Sequence, residues 1–348
     1  MPAIPQPNVD METTLPLGKL KLEQLRRLLT TYISVNDERV VVGPEIGEDA
    51  AVIDMGDRYL VAKTDPITFV ADDIGWYAIV INANDLATRG ATPKWFLATI
   101  LLPEHHATEQ MVETIFAQLA AACKQYQITL CGGHTEVTYG LDRPIVVGQM
   151  LGEVAKDRLI RTAGAQIGDD IILTKGIAVE ATSIIARVKY EHLSAMHSPE
   201  YLRACRDFIY TPGISVVEEA RIAVKTANIT SMHDPTEGGL ATGLHEMAEA
   251  AGVGLRIERE AIPMFPETST LCAQYGLDPL GVIASGALLM TASPSETPGL
   301  LAAFQAHQIQ ASVIGRVVTA QEGRCLWNQG NSRPIPVFHQ DELTKIFA

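Results

Sequence analysis

Three aspartates, Asp49, Asp65 and Asp85, stand where an acid has to be accounted for. The first two bracket Gly47 to Ile67, in which two runs of Val, Ile, Leu and Tyr are parted by Gly56-Asp57, the pattern of a hairpin with buried strands. Asp49 enters the first strand and Asp65 leaves the second, so antiparallel pairing brings them close. Converging acids repel each other unless a cation lies between them, and hard carboxylate oxygens suit Mg2+ bound together with substrate phosphates. Strand-end aspartates also serve as solvated turn formers, which is the plainer reading of the hairpin alone. From Asp73 to Arg89 the chain reads as a largely apolar helix, with Asp72 or Asp73 available as N-cap and Gly90 as its stop. Inside it Asn82 and Asp85, three apart, share a face. A carboxylate there costs free energy to bury unless it is paired or holds a metal, which makes Asp85 the third candidate ligand.

Two glycine-rich stretches carry the remaining candidates. In Cys131-Gly132-Gly133-His134-Thr135-Glu136, the glycines allow another backbone or a phosphate to come close, and His134 and Glu136 face one side of a strand. Imidazole is a poor ligand for Mg2+, so Glu136 would supply the charge or a softer metal would be preferred; a lone strand histidine is more often structural. In Asp234-Pro235-Thr236-Glu237-Gly238-Gly239 a strand passes through an acidic turn into a helix start, an arrangement that can place an anionic or electrophilic group on backbone N–H donors. A mere strand-to-helix turn, capped by Asp234 or Thr236, would need only one of its two glycines. Lys175-Gly176 at another expected helix start is a weaker signal of the same kind.

The elements that must position these residues follow from periodicity. Residues 1 to 14 contain prolines and no pattern, and are expected to be mobile. Leu22, Leu25, Leu28 and Leu29 repeat at helical spacing. After the hairpin and the central helix come a strand over residues 93–103, an amphipathic helix over 108–126, and strands over 128–138 and 144–154, a β-β-α-β-α-β-β order. A second α/β unit begins near Leu159. It has strands at 170–174, 229–233, 254–257, 287–291 and 312–318, and helices at 178–190, 199–210, 213–227 and from Leu240 to Ala251. The expected division is 1–14, 15–155 and 156–348, a mobile N-terminus followed by two domains.

Bulk properties bound the function. A chain of 348 residues suggests two domains. The formal charge of -14 argues against a general nucleic-acid binder, which needs clustered Lys and Arg. No apolar run approaches the ~18 residues of a membrane span, and the N-terminus lacks the pattern of a signal peptide, so a cytoplasmic protein is expected. The five cysteines are scattered without C-x-x-C spacing, the pattern of reduced thiols rather than of disulfides or a zinc cage.

The motifs GEDAAV, TDPIT, NANDLATRGATP and CGGHTEVT, over residues 40 to 155, with DPTEGGLAT beyond them, resemble the superfamily of aminoimidazole ribonucleotide synthetase, thiamine-monophosphate kinase, selenophosphate synthetase and the hydrogenase-maturation dehydratase HypE. The DPTEGGLAT run is most similar to the HypE branch. The resemblance implies a two-domain PurM-like α/β fold, with an N-terminal mixed sheet that makes a dimeric barrel and a C-terminal α/β sandwich. It further implies ATP and Mg2+ as cofactors and a homodimer that phosphorylates or activates a small-molecule acceptor. Lys19, Asp49, Asp65, Asn82, Asp85, Gly132 and Gly133 would then bind the nucleotide, with Asp49, Asp65, Asp85, His134 and Glu136 as metal ligands. Asp234, Thr236, Gly238 and Gly239 would face the acceptor. Lys19 resembles a lid residue reaching phosphate, although it could equally be an ordinary surface lysine. Relatives carry an acid where His134 stands. HypE carries its substrate on a C-terminal cysteine, whereas the last cysteine here is Cys325, expected to be buried in a short strand, and the chain ends Ile346-Phe347-Ala348. A free small molecule is therefore the expected substrate. Selenophosphate synthetase has a reactive N-terminal cysteine, and here no cysteine precedes Cys123. A nucleotide-binding assembly or maturation factor without turnover, and a phosphotransferase similar to thiamine-monophosphate kinase, are the alternatives.

Overall fold

The computed structural model describes residues 15, 18–20, 22–68 and 71–347; the segment 1–14, expected to be mobile, lies outside them. In chain order the first half runs α1 (Leu22–Tyr32), β1 (Val40–Val42), β2 (Ala51–Asp54), β3 (Arg58–Ile67), α2 (Ile74–Ala87), β4 (Thr92–Pro103), α3 (Glu109–Tyr126), β5 (Thr129–Thr138) and β6 (Ile145–Ala155). The second half contains β7 (Asp170–Thr174), α4 (Val179–Val188), α5 (Tyr190–Ser194), α6 (Pro199–Arg206), α7 (Val217–Thr226), β8 (Ile229–His233) and α8 (Gly239–Ala251). It continues through β9 (Gly254–Glu258), α9 (Pro266–Gln274), β10 (Leu289–Ala292), α10 (Thr297–Ala306), β11 (Ala311–Val318), β12 (Arg324–Asn328) and β13 (Asn331–Pro334). None of the helices described is long and apolar enough to cross a membrane.

Each half is built on one sheet. The first has the order β1-β2-β3-β6-β4-β5 and the second β13-β12-β9-β11-β7-β10-β8. The hairpin pairs as its pattern predicts, Ala51 opposite Ala62 through Asp54 opposite Tyr59, and β3 then runs antiparallel along β6 from Arg58/Ala155 to Ile67/Val146. Alternate residues of β6 are buried, since one face of the sheet meets α2 while the other does not. Helix α2 is buried along nearly its whole length because β3, β6, α3 and, from the second half, α7 all pack on it. That is why its sequence is apolar on every side rather than amphipathic.

The halves are stapled through α2. Asn84 donates from Nδ2 to the Ile214 carbonyl at 2.8 Å and accepts from the Val216 amide at 2.9 Å, so both ends of one buried amide are satisfied across the junction. Val179, Phe208, Ile209 and Ile214 join the same apolar core as α2 and the first sheet.

Several local expectations change. Asp73 is in the left-handed region (φ 59°) and makes no side-chain cap; its carboxylate instead accepts from Arg187 at 3.0 Å. Lys175-Gly176 does not open a helix, which starts at Val179. The Lys175 ammonium is paired with Glu219 at 2.7 Å and donates to the Ser215 carbonyl at 2.6 Å. Cys325 lies on β12 but is half-buried rather than buried.

Candidate functional site

The acids of the hairpin and of α2 do converge with a cation between them, and that cation is a lysine of the chain itself. Lys63 and Asp65 are two apart on β3 and so share a face, and α2 lays Asp85 over them. The Lys63 ammonium is 3.6 Å from Asp65 and 3.3 Å from Asp85, both through Oδ2. Burial works against its charge, but Asp85, Asp65, Asp49 and Asp234 together outweigh that and hold the ammonium protonated above its ordinary range.

Asp49 turns to the other half. Its Oδ2 lies 3.0 Å from His233 Nδ1 and 3.8 Å from Arg89, while His233 Nε2 meets Glu246 at 2.8 Å. Burial of His233 opposes a charged ring, yet the two carboxylates flanking it lift its pKa to about 10. Burial alone would raise Asp49, but His233, Lys63 and Arg89 pull its carboxyl well below the usual range. Asp234 is pushed up to about 7 by burial and by repulsion from Asp49, and Asp85 well above the ordinary value by burial, with Asp234, Asp65 and Asp49 adding to it. The site holds more acid than its cations balance.

A divalent cation fits this surplus. One ligand atom from each of Asp49, His233 and Asp234 lies within 4.8 Å of the others. Asp234 Oδ1 is buried without a hydrogen-bond partner, and Asp49 Oδ2, His233 Nδ1 and Asp85 Oδ2 are buried with only their ion-pair contacts, a condition that an ion or ordered water relieves. Glu246 behind His233 is the kind of carboxylate that fixes the ring orientation of a metal-ligating histidine.

The frame around the site is itself charged. Arg89, fully buried at the end of α2, binds the Glu48 carboxylate and donates to Thr162 Oγ1 at 2.8 Å, and Arg161 reaches the same Glu48 at 3.1 Å. This ties the entry to the hairpin, the end of α2 and the first residues of the second half to one point beside Asp49.

The 234–239 turn uses both of its glycines. Gly238 (φ 78°) and Gly239 (φ 67°) are left-handed, and a Cβ on Gly239 would stand 2.4 Å from the Leu280 carbonyl oxygen. Its amides are already engaged: Gly238 donates to Asp341 at 2.7 Å, Gly239 to the Thr236 carbonyl at 3.0 Å and Ala241 to the Leu280 carbonyl at 3.0 Å. The expected anion-binding row of free N–H groups is therefore closed at these positions, and the turn contributes the side chains of Asp234, Thr236 and Glu237. Lys19 spans to it, its ammonium 3.0 Å from Thr236 Oγ1 and its amide 3.2 Å from Glu237. Lys19, Asp65, Thr236 and Glu237 border a cavity of about 660 Å3 that continues past Tyr77, Ile81, Glu180 and Ser285.

The other sequence candidates are placed apart from this cluster. Asn82 is fully buried and donates to the Ala78 carbonyl at 2.9 Å and, more weakly, the Asp65 carbonyl at 3.4 Å, so it clips α2 to β3. His134 and Glu136 sit exposed on the edge strand β5, 3.1 Å from each other, and the pull on the Glu136 carboxyl comes from His134 and Thr138. Gly133 presses on the Ala98 carbonyl of β4, where a Cβ would stand 2.1 Å away, and Gly132 meets Leu97 of the same strand. Lys63, Arg89, Glu48, His233 and Glu246 were absent from the sequence reading. The available signal was spacing: Lys63 shares the face of Asp65, and His233 immediately precedes Asp234.

Both halves match known domain families. Residues 47–154 match the AIR synthase related protein N-terminal domain and residues 166–328 the C-terminal domain. A Methanocaldococcus jannaschii chain named for hydrogenase expression and formation is 28% identical over 314 residues, 88% of this chain and 90% of its own length. Carbamoyl dehydratase HypE of Rhizobium leguminosarum bv. viciae is 29% identical over 282 residues, 78% of this chain and 77% of its own length. In three dimensions the fold is similar to that of hydrogenase maturation protein HypE in complex with ATP, with a TM-score of 0.70, 21% identity and coverage of 92% of this chain and 96% of that one. With its PurM-like two-domain architecture and both domain signatures in order, the chain belongs to the AIR synthase related protein family.

Proposed function

We propose that this protein is an ATP- and Mg2+-dependent enzyme that phosphorylates, or activates by phosphorylation, a small-molecule acceptor held in the 660 Å3 cavity. The observation that carries the reading is the gathering of Asp49, Asp65, Asp85 and Asp234 around Lys63, a cluster that reaches the wall of that cavity through Asp65. Asp49 and Asp234, with Asp65 and Asp85 alongside, would hold Mg2+ through their oxygens, while the charged His233 ring, held between Asp49 and Glu246, orients Asp49. When bound, the metal neutralises charge on the triphosphate.

The chain's own groups have distinct tasks. Lys63 keeps the acids together and offers a positive charge to phosphate. Lys19 bridges to Thr236 and orders the turn over the cavity. The acceptor oxygen forms its bond to the γ phosphorus as the β–γ bridging P–O bond breaks, releasing ADP, and a carboxylate of the cluster that the metal leaves free takes the acceptor's proton. Gly238 and Gly239 shape the turn that presents Asp234 and Thr236. The domain boundary falls between β6 and β7, and the exposed edge strand β5 is the face on which a second copy would pair. Similarity to a relative named carbamoyl dehydratase supports activation of an amide-like oxygen as one form of this chemistry. Phosphorus NMR of ATP and Mg2+ with protein and pooled metabolites tests the reading. A new phosphorylated species, or acceptor-dependent loss of ATP, is expected; nucleotide bound tightly with no turnover against any pool would favour an assembly factor.

A further inference from the structure

One end of the cavity contains an acid that the phosphate chemistry does not use. Glu180, in the first turn of α4, is 5% exposed, and its Oε2 has no hydrogen-bond partner. Beside it are two buried hydroxyls, that of Ser285, which interacts with the Glu180 carboxyl, and that of Tyr77, which has no hydrogen-bond partner. All three border the same cavity, where Ile67, Ile81 and Ile283 supply apolar wall. Burial raises the pKa of Glu180 to about 7, against the opposing pull of the Ser285 hydroxyl and with repulsion from Asp341 and Glu237, both acids, adding to it. Of the two cations that line the cavity, the Lys19 ammonium is engaged by Thr236, and neither it nor Arg143 is among the groups that act on Glu180.

A buried carboxylate on which no cation acts, beside two hydroxyl oxygens that can accept, is the complement of a group with several N–H donors and a positive charge. A phosphate or carboxylate on the ligand would add repulsion at this end. A primary ammonium has three donors for the three oxygens. We propose that the acceptor is a primary amine, whose ammonium group docks on Glu180 with Tyr77 and Ser285 completing its hydrogen bonds. The assignment rests on the reading of the cavity as the acceptor pocket of a nucleotide-using enzyme.

The test uses matched probes on the intact protein with ATP and Mg2+ present: benzylamine against benzyl alcohol and isopentylamine against isopentanol, followed by ligand-observed NMR. Each amine is expected to bind about tenfold or more tightly than its alcohol. Glu180→Gln should abolish that preference, and Ser285→Ala or Tyr77→Phe should weaken it. Equal binding of amine and alcohol, no amine binding at millimolar concentration, or an undiminished preference in Glu180→Gln overturns the proposal. ATP binding measured in the same samples separates the two readings: its absence sinks the enzyme reading, whereas its presence with no amine preference sinks this assignment alone.

Discussion

At the scale of single residues, the site is defined by which charges are balanced and which are not. Lys63 faces four carboxylates, so neutralising it should leave them repelling one another in a buried place. Lys63→Met is expected to destabilise the fold by about 3 kcal/mol, by analogy with breaking a buried ion pair, and denaturant unfolding checks it. Glu180 shows the opposite imbalance. Its carboxyl is raised from 4.5 to about 7, so the folded state favours the proton. The stabilisation this gives is complete below about 4.5 and is lost as pH rises through about 7. Glu180→Gln, which mimics the neutral acid, should therefore melt higher than the natural protein at pH 8, by up to about 3 kcal/mol from the linkage relation, and match it near pH 5. Equal melting curves at pH 8 would show that the acid is balanced by something else. The acids themselves were legible in the sequence because a carboxylate beside Val and Ile runs has to be explained. Lys63 was not, because a lysine in an alternating strand is indistinguishable from a solvent-facing one until α2 is laid over it.

At the scale of elements, hydrophobic period recovered the hairpin, α2, β4, α3 and the strand-turn-helix at Asp234, since each is long or bounded by glycine and proline. It did not recover β1 or β13, which have three and four residues and take their place from the neighbours they pair with. Nor could spacing say how α2 uses its polar residues. Asn82 and Asn84 look alike in sequence, yet one clips the helix to its own sheet and the other fastens it to the second half. Asn84→Ala should remove the junction bonds and leave the Ile214 carbonyl and Val216 amide buried and unpaired, a loss of about 2 kcal/mol measurable by chemical unfolding. The turn makes a sharper prediction. Gly239→Ala places a Cβ against two backbone oxygens in a left-handed conformation, so it should destabilise the protein more than Gly252→Ala, where the Cβ meets nothing within 4 Å.

At the scale of the whole molecule, the two sheets share one core through α2, and the site lies where they meet. Asp49, Asp65, Asp85 and Lys63 come from the first half and His233, Asp234 and Glu246 from the second. On the proposed function, this junction is where a nucleotide and its metal would bind. The edge strand β5, with Val137 58% exposed, gives the molecule an uncovered flank, and light scattering at micromolar concentration is expected to report a dimer; a monomer would remove that assembly. The most direct test of the account is calorimetric titration of ATP with Mg2+ into the natural protein and into Asp49→Asn, Asp65→Asn and Asp85→Asn. The account predicts Mg2+-dependent binding by the natural protein and at least tenfold weaker binding, about 1.4 kcal/mol, in the Asp49 and Asp85 variants. Binding by all three variants equal to that of the natural protein would contradict it.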